Sequence, residues 1–181
     1  MSHLTEQAIK ASFIKLLNER PFARITVQDI VQDCGINRNT FYYHYHDIPQ
    51  LLEEIALDQT NRLIAAYPDI ASLEECVDAA FGFILENRRA ISHIYHSLNR
   101  EVFERYLMQI CEYSVTKWFD TAFAGTEIEP EERERILRFI RFELFGASIS
   151  WMNDGMPPEE IAEARKLLAL CSESVSRLGM G

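Results

Sequence analysis

Apolar residues recur every three to four positions along most of the chain, and no stretch alternates apolar and polar residues as a half-buried strand would. In the first segment, Ile9, Phe13, Leu16 and Leu17 share one face of a helix over about Thr5 to Glu19, with Lys10, Asn18 and Glu19 on the other. Pro21 ends that helix, because it cannot donate to the helical ladder and restricts the residue before it. In "TVQDIVQDCG", Thr26 stands as N-cap with Asp29 three positions on, and Val27, Ile30, Val31 and Cys34 follow at helical spacing. Gly35 closes this second helix where a positive φ is needed. Asn37 then caps a short third helix over 38–45.

The later pattern continues in the same period. The fourth helix, "DIPQLLEEIALDQTNRLIAAYPD", starts on Asp47 with Pro49 in its first turn and turns Leu51, Leu52, Ile55, Leu63 and Ile64 to one side. Ser72 with Glu75 forms a capping box for the fifth helix. The whole reads as all-α, with about nine helices on short connections.

The third helix carries "FYYHY", more hydrogen-bonding rings than a core needs. On a helical wheel Phe41 and Tyr45 point together and face inward, leaving Asn39 and Tyr43 opposite them and Arg38, Thr40, Tyr42 and His44 on the flanks. Taken alone, such rings would as readily pack half-buried against the first helix. Two short helices joined at a glycine turn, the second offering donors, acceptors and a guanidinium, are instead the sequence signature of a helix-turn-helix.

The ordered run Thr26, Ile30, Gly35, Ile36, Asn37, Thr40, Tyr42, His44, Tyr45 and Leu51 resembles the DNA-binding domain of the TetR family of transcriptional regulators. The resemblance covers roughly residues 5–60, and "WMNDGMPPEEIAEA" is similar to the junction before the last helix in some members, those controlling dihydroxyacetone-kinase operons among them. It implies a DNA-binding domain over 1–47 and an effector-binding and dimerisation domain over 48–181. It also implies a homodimer that lays each third helix in a major groove of an operator duplex and responds to a small-molecule effector. By position, Arg38, Asn39, Tyr43 and His44 would approach base edges or nearby phosphates. Thr26, Gln28, Thr40 and Tyr42 would hold the backbone, with Asn37 in the same DNA-binding set. One position departs from the family: Ile48 stands where a lysine usually opens the fourth helix, so a phosphate contact is missing and a smaller salt dependence is expected.

If the family architecture holds, the ring-rich middle of the chain lines an effector pocket, with Phe81, Phe83, His93, Tyr95, His96, Tyr106, Met108, Tyr113 and Trp118 as candidates. Residues of this kind at helical spacing also build ordinary cores. His93 and His96 stand at i and i+3, yet a metal site needs further ligands, and only Glu101 or Cys111 brought in by folding would supply them. No phosphate loop, nucleophile elbow, zinc-peptidase pair or CxxC is present. Neither an enzyme nor a cofactor is expected, and a helical metal-binding protein or enzyme is the remote alternative.

The last two helices carry apolar stripes suited to assembly. Leu137, Ile140, Leu144, Ala147 and Trp151 form one arc of the eighth, and Phe139, Phe142, Phe145 and Ile149 a second. Ile161, Ala164, Leu168, Cys171 and Val175 continue the stripe on the ninth, and four such helices from two subunits would make a dimer interface. If both stripes packed within one subunit, one arc of the eighth helix would stay exposed.

Composition changes this picture in one respect. The net charge is −10, but residues 1–50 hold five Lys or Arg against five Asp or Glu, so the acidic excess lies wholly after residue 50. A neutral N-terminal module can approach a polyanion that the rest of the chain would repel. The four cysteines, Cys34, Cys76, Cys111 and Cys171, have no paired spacing and read as reduced core thiols. With no signal-like N-terminus and no membrane-length apolar run, a soluble cytoplasmic protein is expected, with no membrane partner. The function expected is a repressor released by its effector, with an activator or co-regulator of the same fold that needs a partner protein as the alternative.

Overall fold

The computed structural model describes residues 2–68, 70 and 72–178, and the side chains of these apart from residues 2, 73–74, 76–77, 79–80, 168 and 171–178. Among the described residues there are nine α-helices, one 3-10 turn and no strand. In order they are α1 (Ser2–Glu19), the turn Phe22–Arg24, α2 (Val27–Asp33), α3 (Arg38–His44), α4 (Ile48–Ala66), α5 (Leu73–Glu86), α6 (Arg88–Tyr95), α7 (Arg100–Ala122), α8 (Pro130–Asn153) and α9 (Glu160–Leu178). The chain divides into two compact units, Met1–Gln59 with Asn87–Tyr106, and Thr60–Glu86 with Leu107–Gly181. The first unit therefore holds α1 to α3, the start of α4, all of α6 and the first turns of α7.

The core of the first unit is made by the apolar stripes that the periodicity marks. Ile9, Phe13, Leu16 and Leu17 of α1 meet Ile30 and Val31 of α2, Phe41 and Tyr45, and Leu51, Leu52 and Ile55 of α4. Each such side chain removed from water contributes roughly 1.5–3 kcal/mol before its ordering cost. α6 packs along α1. Here the chain solves a problem that Pro21 creates: the carbonyl of Leu17 would accept from residue 21, which has no N–H. His93 of α6 donates from Nδ1 to that carbonyl at 2.6 Å, so a ring 76 residues away caps the end of α1.

Lys10, on the polar face of α1, is held by acids on two helices. Its ammonium lies 2.8 Å from Glu6, 2.6 Å from Asp58 and 3.7 Å from Glu54, tying α1 to α4. Burial works to lower its pKa, but hydrogen bonds to Asp58 and Glu6 outweigh that and raise it.

In the second unit Phe81 of α5 lies against Trp151 of α8 with ring centroids 4.5 Å apart, and Trp118 and Phe119 of α7 pack with Phe123 just past its end. α9 packs against α5 and α8, with Arg165 bonded to Asp78. α8 ends in a Schellman motif: Gly155 (φ +84°) donates to Met152 O and Met156 to Trp151 O. Met156 itself has φ +59°, a conformation that costs a β-carbon-bearing residue roughly 1–2 kcal/mol. Its full burial offsets the cost, and Trp151 Nε1 closes the turn on the Pro157 carbonyl at 2.9 Å.

Several side chains expected at a dimer interface are core instead. Leu137, Ile140, Leu144 and Trp151 are buried inside the chain itself, where the α8 arc they form faces the unit's own core. Ala147 is exposed, Ile161 and Ala164 are half-buried, and Leu168, Cys171 and Val175 fall outside the described side chains. Of the cysteines, Cys34 is half-buried and Cys111 buried; Cys76 and Cys171 lie outside the described side chains.

Candidate nucleic-acid interface

Local capping defines the geometry of α2, α3 and the start of α4. Thr26 Oγ1 accepts from the Asp29 N–H at 3.2 Å, and the Asp29 carboxylate accepts from the Thr26 N–H at 2.8 Å and its hydroxyl at 2.6 Å. These bonds hold the Asp29 carboxyl below its usual range, with Arg20 nearby adding to the effect. α2 closes through Gly35 at φ +69°, where the Ile36 N–H reaches the Val31 carbonyl at 3.0 Å. Two residues later Asn37 Oδ1 accepts from the Thr40 N–H at 2.8 Å and starts α3. The Asp47 carboxylate then caps Gln50 N–H at 2.8 Å, while Gln50 returns its side-chain oxygen to His46 N–H at 2.7 Å.

With both ends set by caps, α3 has two faces of opposite character. Phe41 is 0% exposed and Tyr45, extended just past the helix end, 2%. Tyr43 is 81% exposed and Tyr42 54%, beside exposed Arg38 and Asn39 and half-buried Thr40 and His44. Tyr42 rests edge-on against Phe41 at 5.5 Å, and Tyr43 edge-on against His44 at 5.2 Å, so each exposed phenol is braced by a neighbouring ring. Of the other expected DNA contacts, Thr26 and Asn37 are exposed and Gln28 is half-buried. The Thr40 hydroxyl is already engaged by Asn37 at 3.1 Å. The exposed face thus offers phenols, an amide and one guanidinium, with no carboxylate on α3 itself.

The charge around this face is thin. Lys10 is held by three carboxylates, Lys15 by Asp33, which keeps that acid ionised to lower pH, and Arg20 by Asp29. Of the five Lys and Arg side chains among the described residues 2–50, only Arg24 and Arg38 have no ion pair. Ile48, in the lysine position, packs half-buried against the unit's core.

The candidate pocket residues separate between the units. His93, Tyr95, His96 and Tyr106 belong to the first, and Phe81, Phe83, Met108, Tyr113 and Trp118 to the second. His96 Nδ1 donates to the Ser92 carbonyl at 2.8 Å and His93 Nδ1 to that of Leu17 at 2.6 Å, so each imidazole bonds a backbone carbonyl through Nδ1. Tyr113 donates to the Tyr67 carbonyl at 3.1 Å. A polar cavity of about 140 Å³ between α7 and α8 is lined by Glu112, Arg133, Glu134 and Arg141 over Leu137, and none of the nine candidates borders it.

Two family models match the chain. That for "Bacterial regulatory proteins, tetR family" covers residues 12–55, and that for "Transcriptional regulator C-terminal region" residues 71–170, more than half of the chain. The chain belongs to the TetR family of transcriptional regulators. Its TetR-type fold is also found in the dihydroxyacetone kinase operon activator DhaS, with a TM-score of 0.76 at 17% identity over 96% of this chain and 97% of that one. A gamma-butyrolactone receptor (ArpA-like protein) matches with a TM-score of 0.50 at 16% identity over 96% and 98%. The uncharacterized HTH-type transcriptional regulator YxbF of Bacillus subtilis (strain 168) is 21% identical over 96% of this chain. The chain spans about half, 46%, of the length of that curated relative. Among the described residues of this TetR-family chain, no helix is long and apolar enough to cross a membrane.

Proposed function

We propose that this TetR-family regulator binds an operator duplex as a homodimer in the cytoplasm, laying α3 of each subunit in a major groove, and that a small-molecule effector releases it, making it a repressor. The observation that carries the DNA-reading role is the division of α3: Phe41 and Tyr45 lock the helix to its unit, and Arg38, Asn39, Tyr42 and Tyr43 stand out from it. An asparagine presents both a donor and an acceptor to a base edge, and Arg38 can address a guanine or a phosphate. Thr26 and Gln28 lie at the start of α2, where backbone phosphate contacts would fix the register.

The homodimer is supported by the outer arc of α8, where Phe139 is 65% and Phe142 50% exposed, and by Leu167 and Leu170 on α9. Exposed phenylalanines in a row are costly in a lone chain and are relieved by a second copy presenting the same face. On the effector side, Phe81, Phe83, Met108, Tyr113 and Trp118 are the candidates within the second unit.

Gel shift against the DNA upstream of the chain's own gene, with and without cell metabolites, tests the reading. Binding at low salt that a metabolite weakens supports it, and absence of binding to any upstream fragment rejects it. The likeness of fold to DhaS, a protein named as an operon activator, favours one second reading, in which the chain activates transcription. A reporter fused to the bound promoter separates the two: deleting the regulator raises expression for a repressor and lowers it for an activator.

A further inference from the structure

We propose that Arg24, outside the helix-turn-helix and outside the set of residues expected to touch DNA, is the phosphate anchor that takes over from the lysine missing at Ile48. This inference rests on the DNA-reading role of α3 proposed above. Three observations lead to it. The start of α4 has lost its means of holding a phosphate: Ile48 packs against the core, Pro49 has no N–H, and the Asp47 carboxylate occupies Gln50 N–H. That corner presents an apolar side chain in the lysine's place, beside the Asp47 carboxylate, so the electrostatic part of DNA affinity has to come from elsewhere.

The supply of free cations is short. Lys10, Lys15 and Arg20 are each committed to carboxylates, which leaves Arg24 and Arg38 as the guanidiniums without an ion pair among the described residues 2–50. Arg38 lies on the reading helix itself. Arg24 lies on the short turn that leads into α2, and its backbone is committed there by the Arg24 N–H to Pro21 carbonyl bond at 2.9 Å.

The chain direction settles which way Arg24 faces. Ile25 (φ −96°, ψ 127°) and Thr26 (φ −115°, ψ 158°) are extended, and side chains alternate along such backbone. Ile25 points into the core, so its exposed neighbours Arg24 and Thr26 share the outward side. Arg24 thereby stands beside the residue that opens α2 toward the DNA backbone, held on a capped, rigid segment. A guanidinium there can grip one phosphate with two donors and carries no sequence information.

The test is a fluorescence-anisotropy titration of the full chain on an upstream duplex and on a scrambled duplex, from 50 to 200 mM salt. The variants are Arg24→Gln, Arg24→Lys and, as a control with the same change in net charge, Arg89→Gln at an exposed position of α6. For each subunit engaged, Arg24→Gln should flatten the slope of log K against log salt by about 0.9, and weaken both duplexes by the same factor. Arg24→Lys should restore most of the slope, and Arg89→Gln should leave it unchanged. An Arg24→Gln slope equal to the wild type's, or a loss confined to the upstream duplex, overturns the inference while leaving the role of α3 intact. Failure of the wild type to bind either duplex at 50 mM salt overturns both.

Discussion

α3 and α8 each turn large rings both inward and outward, and the difference between their outer faces separates two kinds of partner. The outward rings of α3 are Tyr42 and Tyr43, set among Arg38 and Asn39, every one of them able to hydrogen-bond. Those of α8 are Phe139 and Phe142, which have no polar atom, although Arg138 and Arg141 lie against the Phe142 ring. A face of phenols and amides loses little in water and gains on meeting a polyanion, whereas a face of phenylalanines gains only by meeting another apolar face. Burial alone would class both as exposed aromatic patches, and it is the chemistry at the ring edge that tells them apart.

The largest way to break this contrast is through the inner faces. Phe41→Ala should cost about 3–5 kcal/mol, because the ring is wholly buried among α1, α2 and α4, and should appear as a large fall in the thermal midpoint with loss of DNA binding. Outer-face changes should instead separate stability from function. Phe139→Glu with Phe142→Glu should convert a dimer to a monomer in sedimentation at micromolar concentration while helix content is kept. A wild type that is already monomeric would remove α8 from the account.

Smaller effects sharpen the local part. Thr26→Ala removes one half of the reciprocal cap on α2 and should cost about 1 kcal/mol in chemical denaturation. The other half depends on pH. Since Asp29 titrates below its ordinary range in the folded chain, its contribution is present above the unfolded carboxyl value of about 3.9 and fades as pH falls through the lower folded value. The gap in thermal midpoint between wild type and Asp29→Ala should therefore be open at pH 7 and close in acid. The smallest change has the opposite sign. Tyr45 keeps a buried hydroxyl with no hydrogen-bond partner among the described residues, so Tyr45→Phe should leave stability unchanged or raise it.

What the sequence discloses about this molecule follows range. Thr26 with Asp29, Asn37 with Thr40, Asp47 with Gln50 and the turn at Gly35 are decided within three or four residues, and each is found where the spacing puts it. The inward pair Phe41 and Tyr45 follows from one helical turn of periodicity. The departures all concern distant contacts. Two apolar arcs on α8 are equivalent to any periodicity, and only the presence of Phe81 against Trp151 reveals which one the chain buries itself. The cap of His93 on α1 and the three acids around Lys10 join segments far apart in the chain, as does the membership of α6 in the reading unit. The nine positions grouped as a pocket, eight rings and Met108, show the same limit: ring content does not say to which unit a ring belongs.

The central claim is that the exposed rings of α3 meet DNA. Its most direct test is anisotropy at 50 mM salt, comparing wild type with Tyr43→Ala on the upstream duplex. With most of its surface in water, Tyr43 should be removable within about 0.5 kcal/mol of stability. Its loss should nonetheless weaken binding by roughly 5- to 150-fold, as expected for a groove contact of about 1–3 kcal/mol. Equal affinity of the two proteins for that duplex would contradict the account.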